Sequence, residues 1–191
     1  MPETQGPDVS RLQRTLVLVG MPGSGKTAIG RALSARLGVA MRDSDAAIVE
    51  RARLSIAEIF ERYGEAFFRE REGQVIASLL GGPPTVLSTG GGAWLSAANR
   101  ARIAAQAAVV WLQADHELLW SRVRHRTTRP LLMTDDPKAT LAALQAEREP
   151  VYAKAEFTLQ VRPEWSILAT TDALEALLTD AGVVVPQRQD R

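Results

Sequence analysis

The octapeptide G-M-P-G-S-G-K-T, residues 20–27, constrains this chain more than any other stretch. It fits the pattern G-x-x-x-x-G-K-[ST]. The run T-L-V-L-V before it (15–19) reads as a strand buried on both faces of a parallel sheet. The segment after it places Ile29, Leu33 and Leu37 on one helical stripe, with Gly38 as its stop. Strand, glycine-rich turn and helix in that order let backbone N–H groups curl around phosphate oxygens. The helix N-terminus adds partial positive charge at the same place. Gly23, Ser24, Gly25, Lys26, Thr27 and Ala28 are therefore the candidates for holding a nucleoside triphosphate. Lys26 is expected to reach the β and γ phosphates, and the Thr27 hydroxyl to ligate magnesium. The cradle leaves the phosphate acceptor open: water, a small alcohol and a nucleotide all remain.

The rest of the chain alternates strands with helices. V-A-M-R-D-S-D (39–45) and T-V-L-S (85–88) are strand candidates, as are A-V-V-W-L-Q-A (108–114) and F-T-L-Q-V (157–161). Ser55 with Glu58 has the spacing of a capping box, opening a helix that stops near Gly64. A second helix, Glu65 to Leu80, turns Phe68, Val75, Ile76 and Leu79 inward. Further helices are expected over Ser96–Gln106, after Asp115, from Asp136-Pro137 to about Glu149, and over Thr171–Ala181. This alternation predicts an α/β fold with a parallel sheet covered on both faces. Residues 1–14 read as a flexible polar tail, 15–182 as one domain, and 183–191 as a second flexible tail.

Composition excludes several classes. No cysteine is present, so disulfides and thiolate metal sites are out. A net charge of +1 gives no strong field for nucleic acid or an acidic membrane. No run approaches the ~18 apolar residues of a membrane span, and the N-terminus lacks an apolar signal core. A cytoplasmic protein is the reading by elimination.

Four features then ask for one explanation. D-S-D sets Asp43 and Asp45 one residue apart, on one side of an extended chain and roughly 7 Å from each other. Arg69 and Glu72 are spaced i, i+3 on a predicted helix. T-G-G-G (89–92) follows a strand directly and exposes backbone N–H groups as an anion seat. Arg148 ends the apolar stripe of Leu141 and Leu144. Taken singly, these also read as a solvated turn, a surface ion pair, a plain strand-to-helix turn and an arginine whose stem covers the core.

Together they resemble the shikimate kinase family. The resemblance runs from about Thr15 to Val161. It covers the cradle, D-S-D, L-S-I-A-E-I-F, G-E-A-F-F-R, T-G-G-G-A, R-P-L-L and E-R-E-P-V-Y, in the family's order. It implies a P-loop NTPase three-layer sandwich: about five parallel strands with helices on both faces, a lid near 124–136 and substrate-binding helices. It implies ATP as co-substrate, Mg²⁺ as metal and shikimate as acceptor. Arg69 and Arg148 would clamp the shikimate carboxylate, with Gly90, Gly91 and Gly92 beside it and the Gly91 N–H as third donor. Asp45 would accept hydrogen bonds from the ring hydroxyls, Asp43 would face Mg²⁺ with Thr27, and Glu72 would hold Arg69. Lys26, Asp45 and Arg129 would be catalytic, with Arg129 swinging from the lid onto the ATP phosphates. Arg124 and the region of Trp165 are the candidates for adenine. The resemblance implies a cytoplasmic monomer with no nucleic-acid or membrane partner. Two departures stand out: T-V-L-S ends without an aspartate, and Arg53 occupies a position where the family often has glycine. A gluconate-type or other small-molecule kinase and a non-catalytic nucleotide-binding relic are the competing readings.

Overall fold

The computed structural model describes residues 10–125 and 134–186. In chain order the strands are β1 (Ser10–Leu12), β2 (Thr15–Val19), β3 (Met41–Asp43), β4 (Val86–Ser88), β5 (Ala107–Ala114), β6 (Phe157–Val161) and β7 (Val184–Pro186). The helices are α1 (Lys26–Leu37), α2 (Ser44–Ala52), α3 (Ile56–Leu80), α4 (Ala97–Ala104), α5 (His116–Val123), α6 (Pro137–Tyr152) and α7 (Ile167–Asp180). A 3₁₀ turn, Ala93–Leu95, precedes α4.

Five strands form one parallel sheet in the order β3-β4-β2-β5-β6. β2 lies at its centre with every residue buried, as its unbroken apolar run predicts. Helices pack against the sheet, as the alternation of strands and helices predicts. Register does the positioning. Leu18 pairs with Ser88, and Ser88 pairs with Asp43. The C-terminal ends of β2, β4 and β3 therefore finish side by side, where ligands of open parallel sheets bind.

Several boundaries depart from the sequence reading. Residues 1–14 are not all tail, nor are 183–191: β1 pairs antiparallel with β7. The cause is burial, since Leu12, Val183 and Val184 are each 2% exposed or less. The residues after Asp43 are helical, so Asp45 sits in the first turn of α2 and not in an extended chain. Asp43 caps that helix: its Oδ1 accepts from the Asp45 N–H at 3.0 Å and the Ala46 N–H at 3.2 Å. The capping box at Ser55 forms, and α3 is broken at Gly64, whose φ of 77° and ψ of 174° only glycine adopts readily. α6 continues through Pro150 for a last turn to Tyr152, because Tyr152 is fully buried. α7 begins at Ile167, earlier than its periodicity suggests. Ile167 and Leu168 are exposed, and the Ser166 cap, accepting from the Ala169 N–H, sets the start.

Arg53, the exposed C-cap of α2, has φ 53°, the only positive φ of a non-glycine among the described residues. A left-handed conformation costs an ordinary residue ~1–2 kcal/mol, partly offset for glycine by its looser unfolded state. Arg53→Gly is expected to raise unfolding stability by roughly 0.5–1 kcal/mol, read as a higher urea midpoint at unchanged m. A lower midpoint contradicts this.

Candidate active site

The phosphate loop springs from the end of β2. Gly25 caps α1 at φ 100°, which turns the loop into the helix. Lys26 is 9% exposed, and its Nζ donates to the carbonyls of Gly20 at 2.8 Å and Met21 at 3.0 Å. Beside it the Thr27 hydroxyl donates to Asp43 Oδ2 at 3.3 Å and lies 3.4 Å from Ser88 Oγ. Three hard oxygens meet there, from the first turn of α1 and the ends of β3 and β4. Sequence reasoning found Thr27 and Asp43 but gave no role to Ser88, although its place at the end of T-V-L-S was the available signal. Among the described residues no group of three or more His, Cys, Asp or Glu forms a metal cage. A small cation here would depend on phosphate and water oxygens for the rest of its shell, the usual habit of magnesium.

A cavity of about 660 Å³ runs over the loop, lined among others by Lys26, Thr27, Asp43, Asp45, Gly90 and Gly91. Its far side carries Arg122, Trp165 and Thr170. Trp165, the residue whose region the sequence suggested for adenine, lines this cavity, with the Arg162 guanidinium 5.0 Å from its ring centre. Arg124 does not line the cavity. Arg122, two residues earlier, does, and its Nη1 donates to the Gly23 carbonyl at 3.1 Å. Burial holds the Arg122 guanidinium below its ordinary pKa. Arg129 lies outside the described residues, as does most of the expected lid.

The glycine run is where the remaining candidates converge. A Cβ built on Gly90 would lie 2.5 Å from Asp45 Oδ1. One on Gly92 would lie 2.6 Å from Arg69 Nη2, and one on Gly91 would lie 3.8 Å from Arg148 Nη1. Three consecutive residues therefore each meet a different predicted substrate-binding side chain, from α2, α3 and α6. The run itself is pinned. The Gly90 N–H donates to Ser44 Oγ at 3.2 Å, and the Tyr152 hydroxyl donates to the Gly91 carbonyl at 2.6 Å. Trp94 Nε1 donates to the Val151 carbonyl at 3.0 Å, which fastens the turn after the run to the end of α6. Ser44 and Tyr152 were not singled out from the sequence. Each stands inside a quoted motif, D-S-D and E-R-E-P-V-Y, whose charged members drew the attention.

Burial sets the electrostatics. Glu72 is 1% exposed and accepts from Arg69 Nη1 at 3.0 Å. Desolvation pushes its carboxyl above the usual glutamate range, even though Arg69 pulls the other way. Arg69 is half-buried and also reaches the exposed Glu65 at 3.3 Å. Tyr152, buried, is pushed up to about 12, with Arg148 opposing. Among the described residues Arg148 Nε is buried without a hydrogen-bond partner, a donor that an anion entering the site would satisfy.

Comparison with known proteins identifies the family. Residues 22–176 match the family model described as shikimate kinase. The chain is 56% identical over 167 residues to the shikimate kinase of Ruegeria pomeroyi, covering 87% of this chain and 86% of the relative. It is 46% identical over 169 residues to that of Paramagnetospirillum magneticum, covering 88% and 87%. Among solved structures, shikimate kinase from Acinetobacter baumannii in complex with shikimate superposes with a TM-score of 0.81 at 34% identity, covering 87% of this chain and 94% of that one. A gluconokinase from Sinorhizobium meliloti reaches a TM-score of 0.52 at 19% identity, covering 90% and 98%, a likeness of fold alone.

The raised pKa of Glu72 has a definite sign. Its contribution to stability is fully present below the unfolded value of 4.5 and is lost as pH rises through the folded value. Glu72→Gln carries no such penalty. The stability of the variant relative to wild type is expected to rise from below pH 4.5 toward neutrality, measured by urea unfolding across that range. A difference that stays flat or falls contradicts this.

Proposed function

The chain belongs to the shikimate kinase family. With that as premise we propose how its own side chains transfer the γ-phosphoryl group of ATP to the 3-hydroxyl of shikimate, giving 3-phosphoshikimate and ADP. The observation that carries the reading is the convergence of Asp45, Arg148 and Arg69 on Gly90, Gly91 and Gly92, with Asp45, Gly90 and Gly91 lining the same cavity as Lys26 and Thr27.

Arg69 and Arg148 grip the shikimate carboxylate. A guanidinium presents a planar fork that pairs with a carboxylate through two hydrogen bonds, and lysine does not copy it. The Gly90 N–H is engaged by Ser44, and the Gly91 N–H is the backbone donor of the clamp that the family resemblance implies. Glu72 holds Arg69 in place from beneath. With the carboxylate fixed, Asp45 accepts the hydrogen bond of the attacking hydroxyl and aligns it with the γ-phosphorus. A full general-base role is not required if that proton leaves late.

On the nucleotide side, Gly23, Ser24, Gly25 and Ala28 present the turn that cradles the phosphates. Lys26 exchanges its loop carbonyls for the β- and γ-phosphate oxygens. Thr27 and Asp43, with Ser88 beside them, fit a magnesium ion bound together with ATP. What such an ion supplies is neutralisation of charge across those oxygens. Phosphoryl transfer proceeds through a loose transition state, so this positioning carries most of the catalysis. Arg129 completes the charge around the phosphates from the lid, and lid closure excludes water as a competing acceptor. Arg122 and Trp165 flank the adenine end. The enzyme acts as a cytoplasmic monomer on ATP and shikimate, without nucleic-acid or membrane partners. No helix among the described residues is long and apolar enough to cross a membrane.

Coupled ADP-release assays over a panel of hydroxy acids test the assignment. Turnover of shikimate is expected; turnover of gluconate with none of shikimate contradicts it, and nucleotide binding without any turnover favours a relic. Within the assay, Arg69→Lys is expected to raise KM for shikimate roughly tenfold to a hundredfold, a loss of ~1.5–3 kcal/mol of charged hydrogen bonding. Asp45→Asn is expected to lower kcat far more than it weakens ATP binding. An unchanged KM removes Arg69 from the clamp, and a collapse of ATP affinity moves Asp45 to the metal side.

A further inference from the structure

Away from the cavity just described, a second one of about 330 Å³ opens between α2 and α3. That volume falls in the range of small-molecule sites. Ile48 and Ile59 form its floor and are buried at 2% and 1% exposure. One wall is a ladder along α3. Tyr63 and Phe67 pack with ring centres 4.8 Å apart, and the Arg71 guanidinium lies 4.8 Å from the Phe67 ring centre. Arg51 faces it from α2. No carboxylate belongs to the lining among the described residues. Arg51 donates to the neutral Ser78 Oγ at 2.9 Å and Arg71 to Gln74 Oε1 at 3.0 Å, and among the described residues neither forms an ion pair. An apolar floor, an aromatic wall and two guanidinium groups without an ion pair among the described residues suit one ligand class: a small planar aromatic body carrying a carboxylate.

The position of this pocket gives it leverage. It is lined from both sides of the break at Gly64: Ile59 and Tyr63 precede it, Phe67 and Arg71 follow. A Cβ at Gly64 would meet nothing within 4 Å, so the space beside the break is open. The half of α3 beyond the break carries Arg69 and Glu72, and α2 carries Asp45 at its start. We propose that the α2–α3 groove binds a small aromatic carboxylate through Arg51 and Arg71, and that its occupancy, by fixing the bend at Gly64, alters the affinity of the acceptor site. The kinetic part rests on the shikimate reading; the binding part does not.

Isothermal titration of the full chain with 2-naphthoate and its neutral counterpart 2-naphthamide tests the site without turnover. The carboxylate is expected to bind about tenfold or more tightly than the amide, and the double variant R51Q/R71Q to lose that preference. Saturating 2-naphthoate is expected to shift KM for shikimate severalfold in wild type and not in R51Q/R71Q. The turnover of R51Q/R71Q without naphthoate stays at the wild-type level. Equal binding of acid and amide, retention of the preference by R51Q/R71Q, or an unmoved KM at saturation each overturns the proposal. So does sedimentation showing a wild-type dimer that R51Q/R71Q breaks, which makes the groove a contact between copies. A chain that binds 2-naphthoate selectively yet turns over no shikimate separates failure of the family reading from failure of the site.

Discussion

The absence of a side chain at residues 90–92 is the constraint on which the site depends. Asp45, Arg148 and Arg69 come from three helices that share no local sequence. They meet because a bare backbone lets charged ends approach to distances from which a methyl group at Gly90 or Gly92 would displace them. Everything around the run keeps it from moving. Tyr152 holds the Gly91 carbonyl, Ser44 holds the Gly90 N–H, and Trp94 ties the following turn to α6. The site is thus a rigid floor with adjustable charges resting on it, the reverse of a flexible glycine loop closing over a ligand.

The sheet supplies the second half of the geometry. Parallel pairing aligns Leu18, Ser88 and Asp43, so the phosphate loop, a strand-end hydroxyl and a helix-capping carboxylate arrive together. Asp43 has two tasks divided between its oxygens: Oδ1 caps α2, and Oδ2 accepts from Thr27. The same residue therefore fixes the start of the helix that aims Asp45. The two carboxylates of D-S-D are separated in role by that turn of helix, one toward the phosphate loop and the other toward the glycine floor.

Most of the fold was legible from the sequence because buried parallel strands and capped helices leave strong local marks. The run T-L-V-L-V, the Ser55–Glu58 box, Asp115 and Asp136-Pro137 all behave as their chemistry predicts. What escaped was set by tertiary contact. The pairing of β1 with β7 joins segments more than 170 residues apart, each too short to carry a pattern of its own. D-S-D reads as extended because nothing local says that Asp43 will cap a helix opening at once behind it. At the site the charged candidates came from the family resemblance, because spacing alone left each open to a plainer reading, and Ser44, Ser88 and Tyr152 were not singled out. Their hydroxyls act on backbone and neighbouring oxygens, and only the folded chain shows which ones. Arg124 was named and Arg122 was not, because spacing along a basic stretch does not tell which arginine faces the cavity.

The account therefore stands or falls on the floor of the acceptor site. Its most direct test is the pair of Michaelis constants for Gly92→Ala. The added methyl would displace the Arg69 guanidinium and nothing on the nucleotide side. A KM for shikimate raised about tenfold or more, with KM for ATP within about twofold of wild type, is the predicted result. An unchanged KM for shikimate, or a loss that falls on ATP instead, would contradict the claim that Arg69 works against that glycine to hold the acid.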